Sequence, residues 1–204
     1  MCDSDWSSDV CSSDLSLAAE SIGIDLVEVD PGDLGAESAT DAGAQGDAEL
    51  EPLEAALGEL AAEIDLAGVT AGAVESEFQT SRIEGMCERL GIDLFAPLWQ
   101  RDPVELAEEM LDAGFDILIV QVAAAGLDES WLGRRLDAAA LDELVALNGE
   151  YGVHPLGEGG EFETIVTDAP HMGRPLELAW EPVWEGTRGH LRLTDARLGP
   201  ADEA

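Results

Sequence analysis

Lysine is absent from this 204-residue chain, and its nine basic residues are all arginines, at 82, 89, 101, 134, 135, 174, 188, 192 and 197. Against them stand 45 Asp and Glu, for a formal net charge of -36. Phosphate contacts need a basic patch, so nucleic acid and anionic lipid are disfavoured as partners. No apolar run approaches the roughly 20 residues of a membrane-spanning helix. The N-terminus also lacks the basic start and apolar stretch of a signal peptide, and a cytoplasmic location is expected. Cysteine is scarce: of three, Cys2 and Cys11 fall in the first fifteen residues, which leaves Cys87 alone in the rest. A lone cysteine forms no intramolecular disulfide, which suits a reducing compartment. The three histidines, His154, His171 and His190, sit at no metal-ligand spacing, and no metal site is expected. Also missing are a G-x-S-x-G elbow, a Walker lysine and a G-x-G-x-x-G after a strand.

What is present points to a folded protein. Apolar residues make up 46% of the chain, and the carboxylates are interspersed with Leu, Val, Ile and Ala rather than gathered in blocks. A disordered acidic tail would show the opposite. A nucleic-acid mimic would be a rare specialist. A lysine-free, carboxylate-rich surface fits the salt-filled cytoplasm of a halophilic archaeon, where repulsion is screened within about 3 Å at 1 M. The opening Met1–Leu15, MCDSDWSSDVCSSDL, stands apart. It repeats SSDV/SSDL, has neither helical nor strand period, and resembles a translated sequencing adapter. Residues 1–15 are therefore set aside as a non-native segment, and Cys2 and Cys11 are not read as a metal or redox pair.

From Ser16 the pattern is regular. A helix end at 16–22 precedes an alternating strand, Ile24–Val29, and a Gly-, Ala- and Asp-rich loop over 31–49. Leu53, Leu57, Leu60 and Ile64 mark a helix over 50–64, and 66–72 reads as a buried parallel strand. A helix over 75–90 and a strand over 92–95 follow. Asp102 and Pro103 supply the N-cap and first position of another helix, which stops near Gly114. Residues 115–123 are the most apolar strand, and 138–148 form a further helix. Alternating segments at 161–167, 176–180 and 189–194 then suggest antiparallel strands. This order predicts an α/β fold: an open, mostly parallel sheet in 16–122, then a smaller α+β lobe in 123–204.

Four stretches carry candidate chemistry. Gly72–Arg82 follows a strand and opens a helix, where free N–H groups suit a phosphate. There Ser76, Gln79 and Arg82 share roughly one helix side; a plain N-cap and a surface ion pair explain them equally well. Pro97-Leu-Trp-Gln-Arg101 can clamp an anion or stack on a ring, or simply cover a core edge. The long loop Gly126–Asp137 contains Arg134 and Arg135, the most basic spot available. The sharpest signal is Gly157-Glu-Gly-Gly-Glu-Phe-Glu-Thr164: glycines that permit positive φ, then a strand placing Glu161 and Glu163 on one face. Such a pair can hold ammonium or Mg²⁺, or act as a base.

In this order, GAVESEFQTSRIEGMCERLGIDLFAPLWQRDPVELAEEML, GFDILIVQVAAAGLDESWLG and YGVHPLGEGGEFETIVTDAP resemble the diphthine–ammonia ligase family, strongly over 66–170 and weakly over 16–65. The resemblance implies a PP-loop, HUP-like nucleotide-binding sheet of the adenine nucleotide hydrolase superfamily, and a second lobe that recognises a protein substrate. It implies that ATP, with Mg²⁺, adenylates the carboxylate of diphthine on translation elongation factor 2, and that ammonium then gives the diphthamide amide. It assigns Gly72, Ser76, Gln79 and Arg82 to the nucleotide, and Glu161 and Glu163 to catalysis. Gly126, Leu127, Trp131, Gly133, Glu158, Gly159, Gly160 and Thr164 go to the diphthine side. The family's SGGKDS-type phosphate loop and first strand have no counterpart here, so the chain is expected to be an inactive fragment. At Gln121 relatives often carry lysine. The rival readings are another ATP-dependent ligase or nucleotide hydrolase of the same superfamily, and a non-catalytic binding module.

Overall fold

The computed structural model describes residues 7–29, 42–75 and 77–201. They form two compact units, one of residues 27–101 and the other combining the chain up to Leu26 with everything from Asp102.

In the first unit, β1 (Gly68–Thr70) pairs in parallel with β2 (Asp93–Phe95), from Gly68 opposite Asp93 to Thr70 opposite Phe95. The pairing extends one bond further, from Ala71 N–H to the Phe95 carbonyl at 3.0 Å. Helices α2 (Ala42–Glu63) and α3 (Glu77–Leu90) pack together and are joined by the Arg89 guanidinium on the Glu54 carboxylate, 2.9 Å from Nε. Met86 and Cys87 on α3 are buried. Two sequence expectations change here. Residues 42–49, read as loop, belong to α2, because alanine, glutamine and glutamate favour helix even where no apolar face marks one. Residues 31–41 of that expected loop lie outside the described residues. Ile24–Val29 forms no strand and joins no ladder among the described residues, with Ile24 and Val27 about two-thirds exposed at 60% and 65%. Alternation specifies a face, whereas a strand also needs a neighbour to bond to.

The second unit holds α1 (Ser7–Ile22), α4 (Pro103–Asp112), β3 (Asp116–Val122), a single 3-10 turn (Glu129–Trp131), α5 (Ala138–Tyr151), β4 (Phe162–Asp168), β5 (Leu176–Glu185) and β6 (Arg188–Leu198). Its sheet runs β4-β3-β6-β5 and every pairing is antiparallel. Sequence reading put 115–123 in a mostly parallel sheet with the strands before it. The structure overturns that: β3 is an inner strand of the antiparallel sheet. Burial on both faces gives β3 the continuous apolar run usual in parallel sheets. One face, through Ile117, Ile119, Val122 and Phe162, packs with Ala107 of α4 and Leu141 and Leu144 of α5. The other, through Leu118 and Val120, meets Leu191 and Trp180.

Helix α1 begins inside the stretch set aside as foreign and docks its far end on this unit. The buried Ser21 accepts from Gly173 N–H (2.8 Å) through its carbonyl and from Arg174 N–H (3.2 Å) through its hydroxyl. The expected cap of α4 is present: the Asp102 carboxylate accepts from Val104 N–H at 2.9 Å and Glu105 N–H at 3.0 Å. Asp102→Ala should therefore destabilise this unit by about 1 kcal/mol, read as a lower urea midpoint with an unchanged slope. Among the described residues, no helix is long and apolar enough to cross a membrane.

Candidate functional site

Two of the four stretches singled out by sequence, together with the β5–β6 hairpin, converge on one end of β3. Along one edge β3 pairs with β4. Its other edge is taken first by residues 133–136 and then by β6. Gly133 N–H donates to the Ile119 carbonyl and Ile119 N–H to that of Arg134, both at 2.9 Å, before Gln121 meets His190 and Val122 meets Gly189. The loop 126–137, the glycine-rich 157–164 and the β5–β6 hairpin thus surround Ile119–Val122.

The glycine-rich stretch is a tight turn held by its own residues. Gly157 and Gly160 have φ of +72° and +76°, and Gly160 N–H donates to the Gly157 carbonyl at 2.8 Å. A Cβ on Gly157 would fall on the Phe162 carbonyl oxygen. The Glu161 carboxylate closes the turn by accepting from Gly159 N–H (2.9 Å) and His154 N–H (3.1 Å). The imidazole Nδ1 of His154 accepts from Leu156 N–H at 3.1 Å. Phe162 is buried in the core, while Glu158, Gly159, Gly160, Glu163 and Thr164 are exposed. Glu161 and Glu163, expected to act as a pair, have different surroundings: the first is occupied by backbone N–H groups. The second stands on β4 opposite Gln121, and burial of part of its side chain pushes its carboxyl above the usual carboxylate range.

The loop before α5 is equally ordered. Gly126, at φ +91°, lies against Tyr151 and Leu147 of α5, and a Cβ there would sit 2.7 Å from the tyrosine ring. Leu127 and Trp131 are core residues, each 5% exposed. Asp128 accepts from Ser130 N–H at 2.9 Å, and the serine hydroxyl and amide hold its carboxyl below the usual range. The guanidinium of Arg134 lies 4.4 Å over the Trp131 ring and pairs in two bonds of 2.8 Å with Glu143. Arg135 binds Thr167 and, at 3.2 Å, Asp116. Both arginines of the basic spot are thus engaged within the chain. Gly133, at φ +77°, lies under the Trp180 indole.

In the first unit the loops after β1 and β2 lie side by side, joined by Gln100 N–H on the Val74 carbonyl at 2.8 Å. These are the carboxyl ends of parallel strands, the usual place for a ligand in α/β sheets. Gln100 is the single non-glycine residue at positive φ (+58°) among those described, and such strain collects at ligand sites. Gly72 lies in the first loop, and a Cβ there would meet open space. Arg82 sits further along α3, where with Ser81, Gly85 and Arg89 it lines a groove of ≈ 740 Å³ opposite Glu51 and Glu54 of α2. Ser76 and the side chain of Gln79 lie outside the described residues. Burial pushes the Cys87 thiol up, as befits a core residue.

Sequence reading missed His190. It stands opposite Gln121 on β6, and no local signal ties it to Glu163, because the connection runs through strand pairing.

Residues 10–94 match the diphthamide synthase N-terminal domain, and residues 102–198 the diphthamide synthase C-terminal domain. The chain belongs to the diphthamide synthase family. The second match begins at residue 102, where the two compact units divide, while residues 10–26 of the first match fall in the same unit as the second. The chain is similar to the diphthine–ammonia ligase of Schizosaccharomyces pombe, 39% identical over 127 residues, which are 62% of this chain and 21% of that protein. The human diphthine–ammonia ligase is 41% identical over 107 residues, 52% of this chain and 40% of its own. That of Danio rerio is 40% identical over 123 residues, 60% and 48% respectively. The matches thus span less than half of each relative.

Proposed function

We propose that this chain is the substrate-recognising and partial nucleotide-binding portion of an ATP-dependent diphthine–ammonia ligase. The observation that carries the reading is the gathering of 126–137, 157–164 and β6 around Ile119–Val122, with a raised-pKa carboxyl, Glu163, beside a rigid glycine turn. The diphthine carboxylate is a poor acyl donor. Adenylation by ATP gives it a good leaving group, and ammonia then attacks the carbonyl carbon as AMP departs. Ammonium must first lose a proton, which Glu163 accepts as a carboxylate. Glu161 holds the turn against which Glu163 is presented. Gly126, Gly133 and the exposed rim Glu158–Gly160 and Thr164 form the diphthine side, with Leu127 and Trp131 anchoring the loop from the core. Diphthine-bearing elongation factor 2 is the protein substrate, in the cytoplasm.

The nucleotide belongs to the first unit, in a HUP-like sheet of which β1 and β2 are part. Gly72 leaves room for close approach at the strand end, with Ser76, Gln79 and Arg82 on the following helix. A lysine-bearing phosphate loop of the SGGKDS type does not occur in this sequence. Among the described residues, no three His, Cys, Asp or Glu side chains gather to hold a metal, so Mg²⁺ would be held chiefly by the nucleotide phosphates.

The test is AMP release from ATP by the chain preceded by a family-type strand and phosphate loop. AMP should appear only with ammonium and diphthine-bearing elongation factor 2. AMP without the factor would favour another ligase or hydrolase of the superfamily. A folded protein that binds the factor but releases no AMP would make it a binding module.

A further inference from the structure

We propose that Gln121 and His190 are positioning residues for Glu163, completing a polar row across three strands that aims its carboxyl at the incoming ammonium; this rests on the role given to Glu163 above. The register sets the row, just past a bulge between Ile119 and Gln121 on β3. Glu163 on β4 faces Gln121 on β3, Gln121 faces His190 on β6, and His190 faces Val183 on β5. Residues directly opposite in antiparallel strands share a face, with Cβ atoms about 4.5–5.5 Å apart. A glutamine between a carboxylate and an imidazole at that spacing reaches either one. The neighbouring row, Phe162, Val122, Gly189 and Trp184, is apolar and lies on the other face.

The placement of His190 is built in. A Cβ on Gly189 would overlap the Trp184 ring and come within 2.9 Å of Leu132 Cδ1 and the Val183 carbonyl oxygen. That close packing seats β6 against β5 and Leu132, while the pairing of Gly189 with Val122 on β3 sets His190 opposite Gln121. The charged groups that act on the imidazole are Glu185 at the end of β5 and Arg188 and Arg192 on its own strand; Glu163 lies one strand further, across Gln121. Arg192 is itself paired with Glu181 at 2.6 Å. Burial outweighs these and holds His190 below the ordinary histidine range, hence neutral at pH 7. A glutamine amide has donors at one end and an acceptor at the other. On this proposal, when ammonium enters, a neutral imidazole N–H is directed at the amide oxygen and the NH₂ turns toward Glu163. His190 thus selects one of two amide orientations and, through it, the carboxyl's direction.

The experiment is an NMR titration of the imidazole signals in this chain, in wild type, Glu163→Gln, Gln121→Leu and the double variant. His154 and His171 serve as internal reports of intact folding. Glu163→Gln removes a negative charge and should lower the His190 midpoint by about 0.3–1 unit. In the Gln121→Leu background the same change should have less than half that effect. A His190 midpoint indifferent to Glu163→Gln would overturn the proposal, and so would an equal shift with and without Gln121. In the loop-bearing ligase assay, His190→Ala should lower kcat about tenfold at unchanged KM, with recovery in His190→Gln. If the coupling is present but no form releases AMP, the ligase reading fails separately.

Discussion

Gly157→Ala is expected to destabilise the second unit by about 3 kcal/mol, whereas Gly160→Ala, three residues on, should cost only about 1 kcal/mol. Both glycines have left-handed backbone, φ +72° and +76°, so an alanine at either bears the same conformational penalty. The difference lies in what surrounds them. A Cβ at Gly160 meets nothing within 4 Å, but at Gly157 it would fall on the carbonyl oxygen of Phe162. That oxygen cannot retreat, because Phe162 opens β4 opposite Val122 and its ring is among the largest fully buried side chains. Urea unfolding followed by tryptophan fluorescence would measure both variants, since Trp131 and Trp180 lie in this unit's packing clusters. Equal costs at the two positions would show that the clash is not what constrains the turn.

The second large effect concerns Glu163. In the ligase assay, Glu163→Gln should lower kcat by 10²- to 10⁴-fold while the chain stays folded. Burial raises this carboxyl, so activity that needs the carboxylate should fall as pH drops through the raised value, and the variant should lose that limb of the profile. Stability runs the other way. Between the unfolded and the higher folded pKa, the folded chain holds more protons than the unfolded one, so this residue's contribution weakens as pH rises through that window. Glu163→Gln should flatten that slope. Glu161→Gln should behave differently, because its carboxylate already accepts two backbone N–H groups in the turn. It should chiefly loosen the turn and lower stability, with KM affected more than kcat. Identical profiles for the two variants would contradict the division of roles.

Much of this could be read from the residues in order. Apolar spacing located α3, α5 and the three C-terminal strands, and Asp102-Pro103 marked the start of α4 to the residue. The quoted motifs led to the diphthamide synthase family, which the matches over 10–94 and 102–198 show. These features are local: periodicity, capping and motif spacing are fixed by residues a few positions apart. The glycine turn at 157–160 was legible for the same reason.

What neighbours a strand is not local, and there the tertiary structure decided. Residues 115–123 read alike in a parallel or an antiparallel sheet; only pairing with β4 and β6 makes β3 an inner antiparallel strand. Alternation at 24–29 marked a strand to which the described residues offer no partner. Arg134 and Arg135 read as the most basic spot available, and the fold engages them with Glu143 on α5 and with Asp116 and Thr167 on β3 and β4. Glu161 and Glu163 were indistinguishable as letters, and folding gave one to the backbone and set the other opposite Gln121. The sequence by itself determined the segments and the family, because short-range sterics and motif order suffice for those. Only the tertiary structure brought Glu163, Gln121 and His190 into one row, because strand register is a long-range choice made by the packing of whole faces.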